Sequence, residues 1–319
     1  MYRMVRIAVL LLALILPALA GPLQKENIPA DAKWLLHWDL EKYRSTETGR
    51  YCEREVVPQK LEELRTHFKQ HFNLDIEWKK YTSLTLYGTG FDSTNNTNGV
   101  LLIKTDSTTA SAAEAALNRQ AGDAKSHGGP VETIATNSAS IFAINKHLFI
   151  SVQKNGRILA GKSLSQVRKG IDTLQGRSPN FASSRAFSSF PATGTDPFLI
   201  AMTEGIGDHL PLPSNAKILQ NTEAVRAVLR ENKDKLSLNL VLKANSADSC
   251  KQLQQTILGL IAIVNISQQD NKELIQMAQS ASVAASDRFV SLDLDYPVKD
   301  AIVRLSEFVG SEPVKTSAK

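Results

Sequence analysis

Residues 156–163 read Gly156-Arg157-Ile158-Leu159-Ala160-Gly161-Lys162-Ser163, a full match to G-x-x-x-x-G-K-S. In a phosphate-binding loop of that pattern, backbone N–H groups cradle phosphates. The lysine reaches the terminal phosphates and the serine holds magnesium. A strand at 148–152 precedes the string, a helix from Ser165 follows it, and Asp293 is available as a metal-binding acid. The interior argues the other way. Arg157 to Ala160 is an apolar, partly β-branched run that reads as a strand, with Lys154-Asn155-Gly156 as the turn into it. A phosphate cradle must stay open, whereas a ladder closes a hairpin strand. Phosphate loops also belong to parallel sheets with crossover helices, and this chain reads as hairpins. The preferred reading puts Gly156 in a turn and Gly161 at a strand end, with Ser163 or Ser165 capping the next helix. A nucleotide site built on Gly156, Gly161, Lys162 and Ser163 is the alternative.

His67 and His71 stand four apart, the spacing that lets two imidazoles of one helix share a metal. Glu63 lies one turn earlier. Residues 68–70 are Phe-Lys-Gln, so the H-E-x-x-H form with its general base is missing. No third ligand is identifiable. A solvated helix stripe is the preferred reading, and a metal-dependent hydrolase the alternative. Asp293 and Asp295 alternate on one strand and share a face, where paired carboxylates can do acid–base work if their surroundings separate their pKa values. A solvent-facing strand end is the simpler reading. Trp34 and Trp38 also share a strand face and are expected to pack in a core rather than form a ligand platform. No G-x-S-x-G elbow occurs. Asn95-Asn96-Thr97 and Asn265-Ile266-Ser267 match the glycosylation acceptor pattern, the first in a turn and the second at a buried helix end. No catalytic set converges, so the reading assigns no catalytic residue, no cofactor and no metal.

The elements that must carry these residues repeat. Ser83–Tyr87 alternates as a strand, a Gly/Asn/Thr-rich turn follows over 88–99, and Val100–Lys104 forms a second strand. Thr105-Asp106-Ser107 then leads into an Ala-rich helix. The second half repeats the order: a strand at Ala224–Leu229, a turn at 231–234, a strand from Leu238 to Lys243, then Ala244-Asn245-Ser246 and a helix. Each second strand ends in Lys and is followed by a residue able to cap a helix N-terminus. A hairpin and helix complete the first half, and Phe289–Leu294 with a helix after Pro297 completes the second. Each half opens on an apolar strand, at 34–40 and 197–202. A long helix over about 41–72 belongs to the first half, with Leu61, Leu64, Phe68 and Phe72 on one face. The fold class is therefore α+β. Two similar lobes arise by internal duplication, each a mainly antiparallel sheet with helices on one face. The lobes span residues 21–178 and 196–310, with a Ser/Pro/Ala-rich junction at 179–195 and a flexible tail at 311–319.

Residues 1–20 read as a secretory signal peptide: Arg3 and Arg6, an apolar run from Ile7 to Leu16, Pro17, and Ala18-Leu19-Ala20 before Gly21. The run is too short to span a bilayer, which takes about 20 residues. Gly at position 21 offers no lipid anchor. Export to the periplasm or beyond is expected, with cleavage after Ala20 and no stable membrane span afterwards. Without the leader the formal charge falls from +5 to +3. Such a mixed surface has no stripe for nucleic acid. Only Cys52 and Cys250 are present; a bridge between them and two buried thiols are both open.

Trp34-Leu35-Leu36-His37-Trp38-Asp39-Leu40, followed by Thr48-Gly49-Arg50, resembles the start of uncharacterised exported proteins of planctomycete and verrucomicrobial bacteria. Gly176 after the helix ending near Leu174 and the helix at 250–264 are similar to them as well. The resemblance implies a two-lobed α+β fold and an envelope location, and no activity. The function expected is that of an exported, non-enzymatic envelope protein that binds a ligand or protein, or acts structurally.

Overall fold

The computed structural model describes residues 21–72, 75–91, 99–127, 129–135, 139–184, 187, 189–191, 196–205, 220–267 and 272–310. The first half contains β1 (Trp34–Asp39), β2 (Tyr81–Gly88), β3 (Gly99–Thr105), β4 (Val131–Ala135), β5 (Ser140–Ile144), β6 (Leu148–Gln153) and β7 (Arg157–Gly161). Its helices are α1 (Leu40–Ser45), α2 (Glu47–Tyr51), α3 (Val57–Phe72), α4 (Ser107–His127) and α5 (Leu164–Leu174). The second half contains β8 (Leu199–Glu204), β9 (Thr222–Asn232), β10 (Lys235–Ala244), β11 (Ser282–Ser286) and β12 (Phe289–Pro297). Helices α6 (Ala247–Ser267), α7 (Lys272–Ser280) and α8 (Val298–Gly310) complete it.

The twelve strands among the described residues join one antiparallel sheet, in the order β11-β12-β10-β9-β8-β1-β2-β3-β7-β6-β5-β4. The α+β class is thus realised as a continuous sheet, with β1 bonded directly to β8 at its centre. Outward from that pair the two halves repeat. Each gives three meandering strands, then a helix (α4 or α6), then a strand returning to the third (β7 to β3, β12 to β10), then a last helix.

The turns explain the hairpins. Asn145 and Lys146 both have positive φ between β5 and β6, as the tight primed turns require. Gly156, at φ +77°, turns β6 into β7, and any Cβ there would overlap the Thr105 carbonyl. The shared caps form as well. Asp106 accepts from Thr109 N at 2.8 Å ahead of α4, and Ser246 from Ser249 N at 3.1 Å ahead of α6.

The helix expected over 41–72 is broken. Thr46 has extended dihedrals (φ −80°, ψ 164°) and caps α2 by accepting from Gly49 N at 2.9 Å. A wider π-turn at Cys52–Val56 then leads into α3. Pro58 has no N–H to give and its ring crowds the carbonyl four residues back, so a wider turn there relieves the misfit.

Strand alternation gives the first half two apolar faces. Val100, Leu102 and Leu159 face α5 with Tyr87, Val167 and Ile171. Ile103 and Ile158 face α4 with Leu117, Ala121 and Phe142. Helix α5 therefore crosses the face opposite α4, a two-sided arrangement in the first half. In the second half, α6 and α8 share the α4 side: Leu253 packs on Leu242 and Val290, and Leu305 on Leu229 and Leu236. The segment expected as a junction is pinned to the core. Phe181 and Phe187 are buried against Ile28 and Leu35, and Asn180 bridges to Pro29.

Candidate functional site

Arg157–Gly161, the interior of the string, lies flat in the sheet as β7. This strand is hydrogen-bonded to β6 on one side and β3 on the other, so its backbone is committed to ladders. Gly161 ends the strand opposite Val100. Ser163 caps α5, its side chain accepting from Gln166 N. Such a strand cannot wrap a phosphate, and the geometry rejects the nucleotide alternative built on Gly156, Gly161, Lys162 and Ser163.

His67 and His71 lie on α3, with the His67 ring exposed and edge-on to Phe68; the His71 side chain lies outside the described residues. Among the described residues, no three His, Cys, Asp or Glu side chains gather as metal ligands. Asp293 and Asp295 share a face and serve as ladder partners. Asp293 accepts from Asn239 Nδ2 at 2.8 Å and Asp295 from Ser237 Oγ at 2.6 Å. The Ser237 hydrogen bond holds the Asp295 carboxyl below its usual range. Trp38 packs edge-on to Tyr43, while Trp34 donates from Nε1 to the Gly90 carbonyl at 2.9 Å. Cys52 and Cys250 are free and buried in separate clusters. The signal sequence, the tail and Asn95-Asn96-Thr97 lie outside the described residues, and Ile266 of the second acceptor triplet is 72% exposed rather than buried.

The structure brings together a different set. Cross-strand register aligns Asp39, Ser83, Lys104, Arg157 and Gln153 on β1, β2, β3, β7 and β6, on one face of the sheet. The row beside it begins with His37 and Thr85. Pro22, Gln24 and Asn27 close over these rows and leave a cavity of about 10 Å³, room for one water-sized group. His37 is 2% exposed, and burial pushes its pKa down to about 4, so the ring is neutral. Gly21 lies against Lys104: a Cβ there would stand 2.9 Å from Nζ.

Polar groups at this row are left over. The Lys104 ammonium makes no ion pair or hydrogen bond among the described residues. Asp39 feels its charge, but Asp39 Oδ1 accepts from Lys42 N at 2.7 Å. Ser83 is 6% exposed and its hydroxyl bonds to no described residue. Arg157 donates from Nη2 to Gln24 Oε1 at 3.2 Å, while its buried Nε has no partner. In the sequence, Lys104 stands out only as a strand-ending lysine and Arg157 only as part of the phosphate-like string. The repeated Lys–Asx–Ser ending was the available signal; the register that joins it to Ser83 and Arg157 spans distant strands.

No protein-family model matches this chain, and no curated protein does. Among solved structures it is similar to crystal forms III, IV and I of TP0453, a Treponema protein. Form III aligns at 10% identity with a TM-score of 0.49, covering 90% of this chain and 99% of that one. Forms IV and I align at 10% and 11% identity with TM-scores of 0.46 and 0.44. They cover 88% and 90% of this chain, and 96% and 98% of theirs.

Proposed function

We propose that this chain is an exported, non-enzymatic protein that works by binding another polypeptide along the β11 edge of its sheet. The observation that carries this reading is α6. Residues 252–267 contain no charge. Leu258, Leu260 and Ile266 are 48%, 51% and 72% exposed. A helix apolar on all sides is normally buried, and an exposed apolar surface of this kind marks a contact site. Helix α6 packs on β11, the outermost strand, which among the described residues pairs only with β12. Ser282-Val283-Ala284-Ala285-Ser286 has no charge or proline to blunt that edge. A partner that offers a strand and an apolar face satisfies both features together. A lipid surface would leave the edge N–H and C=O groups unbonded, and no helix among the described residues is long and apolar enough to cross a membrane.

The test uses photo-crosslinking residues at Ile266 and Ala284 in the native host. Both positions are expected to trap one and the same protein, and Leu260→Asp to abolish it. Trapping of phospholipid, or of nothing at both positions, would refute the reading. Export rests on residues 1–20, and amino-terminal sequencing of the mature protein is expected to start at Gly21.

A further inference from the structure

The duplication places two lysines in the same setting with different company. In the first half, Lys104 pairs with Ser83 and Thr105 with Tyr81, so Thr82 is an unpaired bulge residue. In the second half, Lys243 pairs with Ala224 and Ala244 with Thr222, so Glu223 is the bulge residue. The first residue of the returning strand then sits beside each lysine: Arg157 of β7 beside Lys104, and Phe289 of β12 beside Lys243. Position for position, Thr82 stands where the second half has Glu223, and Arg157 where it has Phe289.

The second half is electrostatically closed. Lys243 is 5% exposed, and its Nζ lies 2.6 Å from Glu223 Oε1. A carboxylate is what a buried ammonium requires, since burying a charge without a partner is costly. Glu223 Oε2 also lies 3.5 Å from Arg288 Nη1, so one carboxylate there answers two cations. The first half keeps two cations, Lys104 and Arg157, and has threonine where that carboxylate stands. Thr82 Oγ1 and Arg157 Nε are both buried without a hydrogen-bond partner. Ser83, next to Thr82 in the chain, lines the cavity together with Lys104 and Arg157.

We propose that the Lys104 pocket binds a carboxylate supplied from outside the fold, in the place that Glu223 fills in the second half. The ammonium of Lys104 and the guanidinium of Arg157 supply the charge, and the Ser83 hydroxyl donates a hydrogen bond. The cavity holds one water-sized atom, which suits the one carboxylate oxygen that must reach the lysine, the remainder of the ligand lying toward solvent. The site is independent of the β11 edge, and a failure there leaves it standing.

Titration calorimetry and thermal unfolding of the full mature protein test this, with sodium acetate against sodium chloride at matched ionic strength and pH 7. Acetate is expected to bind saturably and to raise Tm with the logarithm of its concentration. Chloride is expected to bind at least tenfold more weakly. Lys104→Met abolishes the acetate response. Thr82→Glu abolishes it too, and raises Tm without acetate, because the new side chain recreates the Lys243–Glu223 pair. A short peptide with a free carboxyl terminus, compared with its amide, separates two sources. Binding tighter than acetate assigns a polypeptide terminus, and binding no tighter assigns a small acid. The proposal is overturned if acetate and chloride act alike, or if the acetate response survives in Lys104→Met. Should Thr82→Glu not fold, Lys104→Met and Lys104→Gln with the wild-type titration decide it.

Discussion

His37 on β1 holds Gly21: its Nε2 lies 3.1 Å from the Gly21 carbonyl oxygen. A carbonyl only accepts, so Nε2 carries the hydrogen and Nδ1 accepts from Thr85 Oγ1 at 2.8 Å. Burial lowers the imidazole pKa from 6.5 to about 4. Between those values the unfolded chain binds a proton that the folded chain does not, so stability rises with pH across this window. Acidification from pH 7 to pH 4 is expected to remove about 3 kcal/mol through this one group. Urea unfolding at pH 7, 5.5 and 4.5 reads the loss. His37→Leu, which has no proton to bind, is expected to flatten that part of the profile, and a slope unchanged in the variant would reject the assignment.

Gly49 sets how closely α1 and α2 approach. A Cβ at this position would overlap the Tyr43 carbonyl oxygen, a backbone atom with no freedom to turn aside. Gly49→Ala is expected to destabilise the fold by about 1–3 kcal/mol, the usual cost of overpacking. Chemical denaturation measures it, and a neutral result would mean that α1 and α2 shift apart freely.

Leu253 and Leu260 share α6 and are predicted to behave oppositely. Leu253 is fully buried against Leu242 and Val290, so Leu253→Ala is expected to cost about 2–5 kcal/mol. Leu260 is 51% exposed, and Leu260→Ala is expected to stay within about 0.5 kcal/mol while weakening any contact made by this surface. Paired denaturation curves separate the two; a large loss at Leu260 would show that its face is already covered.

The two thiols are expected to be inert in the native protein. Cys52 accepts a hydrogen bond from Tyr43 OH at 3.1 Å, and burial raises both thiol pKa values. An aromatic disulfide reagent at pH 8 should label neither until denaturant is added, then both. Fewer than two thiols after unfolding without reductant would reveal a disulfide.

Features decided by residues close in the chain were legible in the sequence. The turn at Gly156, the strand that follows and the Ser163 cap need only a glycine with positive φ, a β-branched run and a hydroxyl before a helix. The same holds for the caps at Asp106 and Ser246, and for the repeated strand–helix order. The continuous helix over 41–72 was misread because Thr46 offers the backbone a local cap, and because Pro58 cannot join a regular turn. The tertiary structure alone decided that β1 pairs with β8 and fuses the halves into one sheet. It also decided that α5 crosses to the opposite face and that His37 is buried. The row of Asp39, Ser83, Lys104 and Arg157 depends on the register of four strands that lie far apart in the chain. One bulge residue, Thr82 in one half and Glu223 in the other, sets whether the lysine beside it is neutralised. Composition and spacing along the chain do not carry that information, because it resides in which strands lie side by side and where each ladder slips by one residue.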